Sequence, residues 1–171
     1  GAPWTEQQIQ AALERGPHQS ALDTDAAKAL WDEANDKSAQ GFANIVAWNT
    51  IKDNIPKELK LSPIAMIPHN SRKFWAILDL SFILGLHGIE VTSVNDVTNK
   101  AKSATNAMGQ LGQVLPRLIA KMAEATLIDG TCAKLDIKDG YWRMVVANGQ
   151  EWNFTYVLPR RDTDNDYNIA V

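Results

Sequence analysis

Apolar residues in the first 40 positions recur at the three-to-four spacing of helices buried along one face. Thr5 with Gln8 three places later carries a capping-box signature, and Ile9, Ala12 and Leu13 follow in helical register. Gly16 and Pro17 stop that helix. A second is predicted from about Thr24 to Gly41, with Ala27, Leu30, Trp31 and Ala34 on one face and the polar residues 32–40 solvated. The period then changes. Residues 45–48 form a short apolar run that suits either strand or helix. Residues 61–68 and 74–80 read as strands joined by the polar turn His69–Asn70–Ser71–Arg72–Lys73, a hairpin with two basic residues at its tip. Prolines bracket the first of these strands, which places it near a sheet edge.

Residues 85–108 are rich in Gly, Ser, Asn and Thr and read as a long connection. Leu111, Val114, Leu115, Leu118, Ile119 and Met122 then trace an amphipathic helix, with Arg117, Lys121 and Glu124 off the stripe. Pro116 lies inside it, so the helix is kinked there or starts near it. An apolar strand through Cys132 and Leu135 delivers Asp136. Met144–Val145–Val146, the turn at Asn148–Gly149 and the run 152–158 predict a further hairpin. A polar loop over 160–168 precedes a last apolar fragment. No internal repeat is present. Helices first, then mixed strands around a helix, predict an α+β fold with an N-terminal helical segment, 1–41, followed by one domain, 42–171.

Composition narrows the classes. At 171 residues, 45% hydrophobic and with six Trp, the chain has the material for one domain with a core. A net charge of −3 disfavours an independent nucleic-acid binder, because phosphate contacts need a basic surface. The lone Cys132 excludes an internal disulfide and suits a small buried hydrophobe in a reducing compartment. No stretch approaches the roughly 20 apolar residues of a membrane span. The start Gly1–Ala2–Pro3 lacks an initiator Met and a signal-peptide pattern, and both ends read as cut from something longer.

The most informative segment is Ala133–Lys134–Leu135–Asp136–Ile137–Lys138–Asp139–Gly140–Tyr141–Trp142–Arg143–Met144. An acid at the end of an apolar strand has a fixed backbone and an open carboxylate, which suits a divalent cation. Mg²⁺ also accepts backbone carbonyls, so Ile137 C=O is a second candidate ligand. The turn at Lys138–Asp139–Gly140 exposes N–H groups able to receive phosphate oxygens. The same pattern also fits an ordinary hairpin turn, since Asp and Gly are turn residues.

These residues resemble the first catalytic motif of a reverse transcriptase, and the likeness covers most of 13–171. Its other pieces come in the family's order: Arg15–Gly16–Pro17–His18, Gly41–Phe42, Leu61–Ser62–Pro63–Ile64–Ala65–Met66–Ile67–Pro68–His69, Arg72–Lys73, Ala76–Ile77–Leu78–Asp79–Leu80–Ser81–Phe82 and Glu151 through Pro159. Together they resemble the fingers and early palm of retroelement reverse-transcriptase domains. The resemblance implies part of a right-hand polymerase fold, cut before the rest of the palm. It also implies templated DNA synthesis with Mg²⁺ on an RNA or DNA template-primer and deoxynucleotides, inside the cell, in cytoplasm or nucleus. It makes Asp136 the first metal-binding catalytic Asp, with Ile137 beside it, and Asp139 and Gly140 the turn beside the triphosphate. Tyr141 becomes the aromatic that screens the sugar, and Arg72 and Lys73 the fingers residues that close over the phosphates. Three departures stand out. Trp75 sits where the family usually has an Arg, and a Trp can stack but supplies no charge or bidentate fork. The Gln-Gly-type motif expected shortly after Val171 lies outside these residues, and so does the Tyr-x-Asp-Asp pair. One carboxylate cannot hold the two cations of such a site. The expectation is therefore a fragment inactive alone; the alternative is a non-catalytic remnant with at most weak nucleic-acid binding.

Other patterns are weaker. Asp162, Asp164 and Asp166 alternate like the start of an EF-hand loop, but Tyr167 stands where Gly is needed, so a solvated hairpin loop is expected. Asn153–Phe154–Thr155 is a glycosylation sequon by pattern only, in a predicted strand. His18, His69 and His87 lack metal-ligand spacing and read as surface or turn residues.

Overall fold

The structure, a computed structural model, describes residues 2–71, 73–102, 109, 113–124, 137 and 140–171. The chain forms two compact units, Gly1–Thr98 with Tyr141–Val171, and Asn99–Gly140. It is a mixed α+β protein with small antiparallel sheets.

In the larger unit, helix α1 spans Glu6–Arg15. Its start is fixed by reciprocal capping: the Gln8 N–H donates to Thr5 Oγ1 at 3.2 Å and the Thr5 N–H to Gln8 Oε1 at 2.9 Å. Gly16, at φ +66°, ends it, in a conformation that a side chain would strain. Helix α2, Thr24–Ala39, is capped by Asp23 and buries Ala26, Leu30, Trp31 and Ala34. Ala26, rather than the expected Ala27, faces the core. The expected solvated stretch has one exception, Lys37, which is buried with its ammonium 5.9 Å from the Phe42 ring and 5.7 Å from that of Trp142.

The short run at 45–48 resolves into strand β1, Ile45–Ala47, followed by a 3-10 turn over Trp48–Thr50. Strands β2 (Ile64–Pro68) and β3 (Phe74–Leu78) make the expected hairpin, in register Ile64↔Leu78 through Pro68↔Phe74. The first strand is shorter than the apolar run, since Leu61 pairs instead in parallel with Thr155. The outer edge of β2 is covered, because the His18 N–H donates to Ile64 O at 2.9 Å and the Met66 N–H to Ser20 Oγ at 3.1 Å.

The long connection expected over 85–108 is overturned where it is described. Strands β4 (Leu84–Leu86) and β5 (Ile89–Val91) form a tight hairpin, and a short helix α3 (Val94–Val97) follows, capped by Ser93. His87 at φ +50° and Gly88 at φ +77° supply the two positive angles that a two-residue hairpin turn needs. Buried Leu84 and Val91 pack in the α1 core. These three-residue strands carry too few positions to show a period in sequence. Residues 103–108 lie outside the described set.

The smaller unit contains helix α4, Val114–Glu124. Pro116 falls in its first turn, where a missing N–H costs little, so the helix starts there and needs no kink. Its apolar stripe is exposed, from 41% at Leu118 to 69% at Leu115. Leu111, Cys132 and the predicted strand into Asp136 lie outside the described residues.

The hairpin expected at Asn148–Gly149 does not form. The turn exists, with the Gln150 N–H on Ala147 O at 2.9 Å, but Met144–Val146 is no strand, and Gly149 at φ +83° opens a 3-10 segment over Gln150–Phe154. The reason lies across the fold: the Lys60 N–H donates to Trp152 O and the Ser62 N–H to Thr155 O. Residues 60–62 therefore take the bonds that 144–146 were expected to take. Asn153 consequently sits in a 3-10 turn and not in a strand. Strands β6 (Tyr156–Val157) and β7 (Asn168–Ala170) join β1 in an antiparallel sheet of order β1-β7-β6. The expected loop between β6 and β7 is tied by Arg161, whose guanidinium meets the Asp164 carboxylate at 2.7 Å.

Two apolar clusters hold this unit together. One joins α1 to Trp48, Leu59, Leu61, Val157 and Ile169; the other joins α2 to Ile64, Met66, Tyr156 and Leu158. The β1-β7-β6 sheet contributes to both.

Candidate functional site

Of the sequence-derived site residues, Asp136, Asp139 and Arg72 lie outside the described residues. Lys73 and Tyr141 belong to the larger unit, Ile137 and Gly140 to the smaller one. Lys73 leads into β3 from the hairpin turn. Its ammonium meets the Asp25 carboxylate at 2.6 Å, in the first turn of α2, and lies 5.8 Å from the Phe74 ring. The Lys73 hydrogen bond and charge hold the Asp25 carboxyl below its ordinary range. Both side chains are well exposed, so water screens the pair and the ammonium is easily exchanged to another anion.

The Gly140 N–H donates to Ile137 O at 3.1 Å, closing a turn. A Cβ at Gly140 would lie 3.3 Å from that oxygen, tighter than most real contacts, so the turn favours glycine. Ile137 is exposed. Tyr141 is 87% exposed and opens a 3-10 turn over Tyr141–Arg143. Neither hydrogen bond, ion pair nor ring contact joins Tyr141 to Lys73 among the described residues.

The described residues do not by themselves make a Mg²⁺ site: among them no group of three or more His, Cys, Asp or Glu could hold a metal ion. Ile137 O keeps a second lone pair beyond the one given to Gly140, so it remains competent as a single ligand.

The hairpin carries features that the sequence reading did not find. On its outer face, Trp75 is 49% exposed and meets the His69 ring edge-on, centroids 5.3 Å apart. Beside that face runs an open cleft of about 580 Å³, walled by Ile67 and Ile77 and rimmed by His18, Asp79, Ser81 and Asn95. Asp79 Oδ1 accepts from the Ser81 N–H at 3.0 Å and its hydroxyl at 2.8 Å. Arg15 donates to Leu61 O and stacks over Phe82 at 5.3 Å; burial lowers its pKa to about 10, against the pull of Asp79. Spatial assembly of His18, residues 63–82 and Asn95 makes this cleft, and no local motif announces it.

Set against protein-family models, curated proteins and solved structures, the chain matches none. Among the described residues, no helix is long and apolar enough to cross a membrane.

Proposed function

We propose that these residues are the fingers and first palm motif of an RNA-directed DNA polymerase of a retroelement. In that reading the parent enzyme works in the cytoplasm or nucleus, binds an RNA or DNA template-primer and adds deoxynucleotides. The observation that carries the reading is the ordered set of motifs ending in Asp136–Ile137–Lys138–Asp139–Gly140–Tyr141. Two local features support it. Residues 64–78 form a hairpin with Lys73 at its turn, in a solvent-exposed pair with Asp25. Tyr141 presents an exposed ring directly after a tight glycine turn.

Each group then has a task. Asp136, with Ile137 O, would hold Mg²⁺, which lowers the charge barrier between the attacking 3′-hydroxyl and the triphosphate. Further carboxylates must come from outside these 171 residues. Lys73, with Arg72, neutralises phosphate oxygens, and the N–H groups of the 138–140 turn orient them. Tyr141 packs under the sugar and rejects a 2′-hydroxyl by contact.

The test is primer extension on an RNA template by the gene product that contains these residues. The reading expects Mg²⁺-dependent extension and its loss by about a thousandfold or more in Asp136→Asn, a magnitude typical of removing a charge-stabilising group and its metal. Extension that survives Asp136→Asn would overturn it. The net charge of −3 and Trp75 favour the rival, a non-catalytic remnant, which expects no extension from either form.

A further inference from the structure

We propose, resting on the polymerase reading above, that Lys37 and Phe42 are positioning residues for Tyr141 and set how strictly a 2′-hydroxyl is rejected. They do so by clamping the 141–143 turn onto the end of α2, through cations and aromatic rings taken alternately.

The end of α2 builds one half of the clamp. Gly41, at φ +74°, carries the chain out of the helix. Its N–H donates to Ser38 O at 3.0 Å, and the Phe42 N–H donates to Lys37 O at 2.9 Å. These two bonds make a Schellman motif, which folds the residue after the glycine back onto the last turn of the helix. A Cβ at Gly41 would meet nothing within 4 Å, so glycine stands there for its φ and not for want of space. The Phe42 ring is thereby set beside the Lys37 ammonium, 5.9 Å from it.

The other half comes from distant sequence. The Trp142 ring lies 5.7 Å from the same ammonium, and the Arg143 guanidinium lies 5.8 Å from the centre of the Phe42 ring. Trp142 and Arg143 are joined by a peptide bond, so three cation–π contacts close a ring of four residues. Lys37 is only 8% exposed, and the attraction of a cation for a ring grows as the cation is desolvated. A buried lysine in an otherwise solvated stretch of α2 thus has a task.

Tyr141 inherits its place from this contact. Residues Tyr141–Arg143 make one 3-10 turn, closed by the Met144 N–H on Tyr141 O at 3.2 Å. With three residues per turn, successive side chains leave the axis about 120° apart. Two of the three directions are taken up by the contacts with Lys37 and Phe42. The third is left to Tyr141, which is 87% exposed. A ring on a fixed turn rejects a 2′-hydroxyl by contact, whereas a ring on a loose turn yields to it.

Two measurements test this. Amide hydrogen exchange on the full 171-residue chain reads the clamp without any polymerase chemistry. Lys37→Met keeps the apolar stem and removes the charge, so the Met144 N–H should exchange about fivefold faster. The Leu158 N–H, bonded to Asn168 O in the β6–β7 pair, should be unchanged, and Lys37→Arg should restore slow exchange at Met144. In the gene product containing these residues, Lys37→Met should raise kcat/KM for ribonucleotides relative to deoxynucleotides about fivefold, and Lys37→Arg should restore discrimination. A merely structural defect would slow both substrates alike and leave their ratio unmoved. Phe42→Leu should repeat both results; if it fails to fold by circular dichroism, the Lys37 pair decides alone. Met144 exchange indifferent to Lys37→Met, or faster exchange with an unchanged ratio, would overturn the proposal. Failure of the polymerase reading shows separately, as no extension by the unsubstituted product with the exchange result intact, and it removes the selectivity role with it.

Discussion

Asn153→Ala strips the hydrogen-bond partner from a buried ammonium. Lys60 is 0% exposed, and its Nζ donates to Asn153 Oδ1 at 2.8 Å. Asn153 is itself fixed, its Nδ2 donating to Gln150 O at 3.2 Å within the 3-10 segment. A hydrogen bond to a charged group contributes about 1.5–3 kcal/mol, so the substitution should destabilise the fold by about 2 kcal/mol. For a chain of this size that lowers Tm by about 4–8 °C. The clean assay is a double-mutant cycle by urea unfolding at neutral pH, with Lys60→Met as the second change, since Met keeps the apolar stem and removes the charge. The cycle should give a coupling of about 1–2 kcal/mol, the range for residues that share one buried bond. Protonation supplies an independent check. Burial holds the Lys60 pKa below 10.5, with Glu58 acting the other way. Between that lowered value and 10.5 the unfolded chain binds more protons than the folded one, so stability rises with pH through the window. Above 10.5 both states are neutral at this site and the penalty is gone. Lys60→Met should flatten that rise. A coupling below about 0.5 kcal/mol, within ordinary non-additivity, would show that the ammonium reaches water and that the burial argument is wrong.

Thr5→Ala removes one half of the capping box and should cost about 1 kcal/mol in urea unfolding, while Thr5→Ser should be close to neutral. Gly88→Ala forces a side chain into φ +77° and should cost about 1 kcal/mol, read the same way. Burial, helped by Glu33, raises the Tyr156 pKa well above 10.0. Above pH 10.0 the unfolded chain loses that proton while the folded one keeps it, so stability falls with rising pH, and Tyr156→Phe should reduce the slope of alkaline unfolding.

Local chemistry was the legible part of this sequence. The Thr5–Gln8 box, the stop at Gly16 and the 64–78 hairpin could be read because each is decided by neighbouring residues. The β4–β5 hairpin was hidden: three-residue strands carry no period, and His87 supplies a positive φ that glycine or asparagine more often marks. The Asn148–Gly149 signal misled for the opposite reason. Its turn forms, but Lys60 and Ser62, some 90 residues away in sequence, satisfy the backbone that a hairpin would have used. The candidate site divides along the same line. The exposed Tyr141 and the glycine turn before it follow from the local sequence. The Trp75–His69 contact lies within the hairpin, but the pairing of Lys73 with Asp25 and the cleft beside Asp79 depend on which segments pack against it, and no motif encodes that.

The most direct measurement of the polymerase reading locates the metal. Fe²⁺ in place of Mg²⁺, with ascorbate and peroxide, cuts the backbone beside its ligands. In the gene product containing these residues, bound to template-primer and a non-hydrolysable deoxynucleotide, the account predicts cleavage next to Asp136, lost in Asp136→Asn. Cleavage elsewhere with 130–141 intact, or cleavage at 136 that persists in Asp136→Asn, would contradict it.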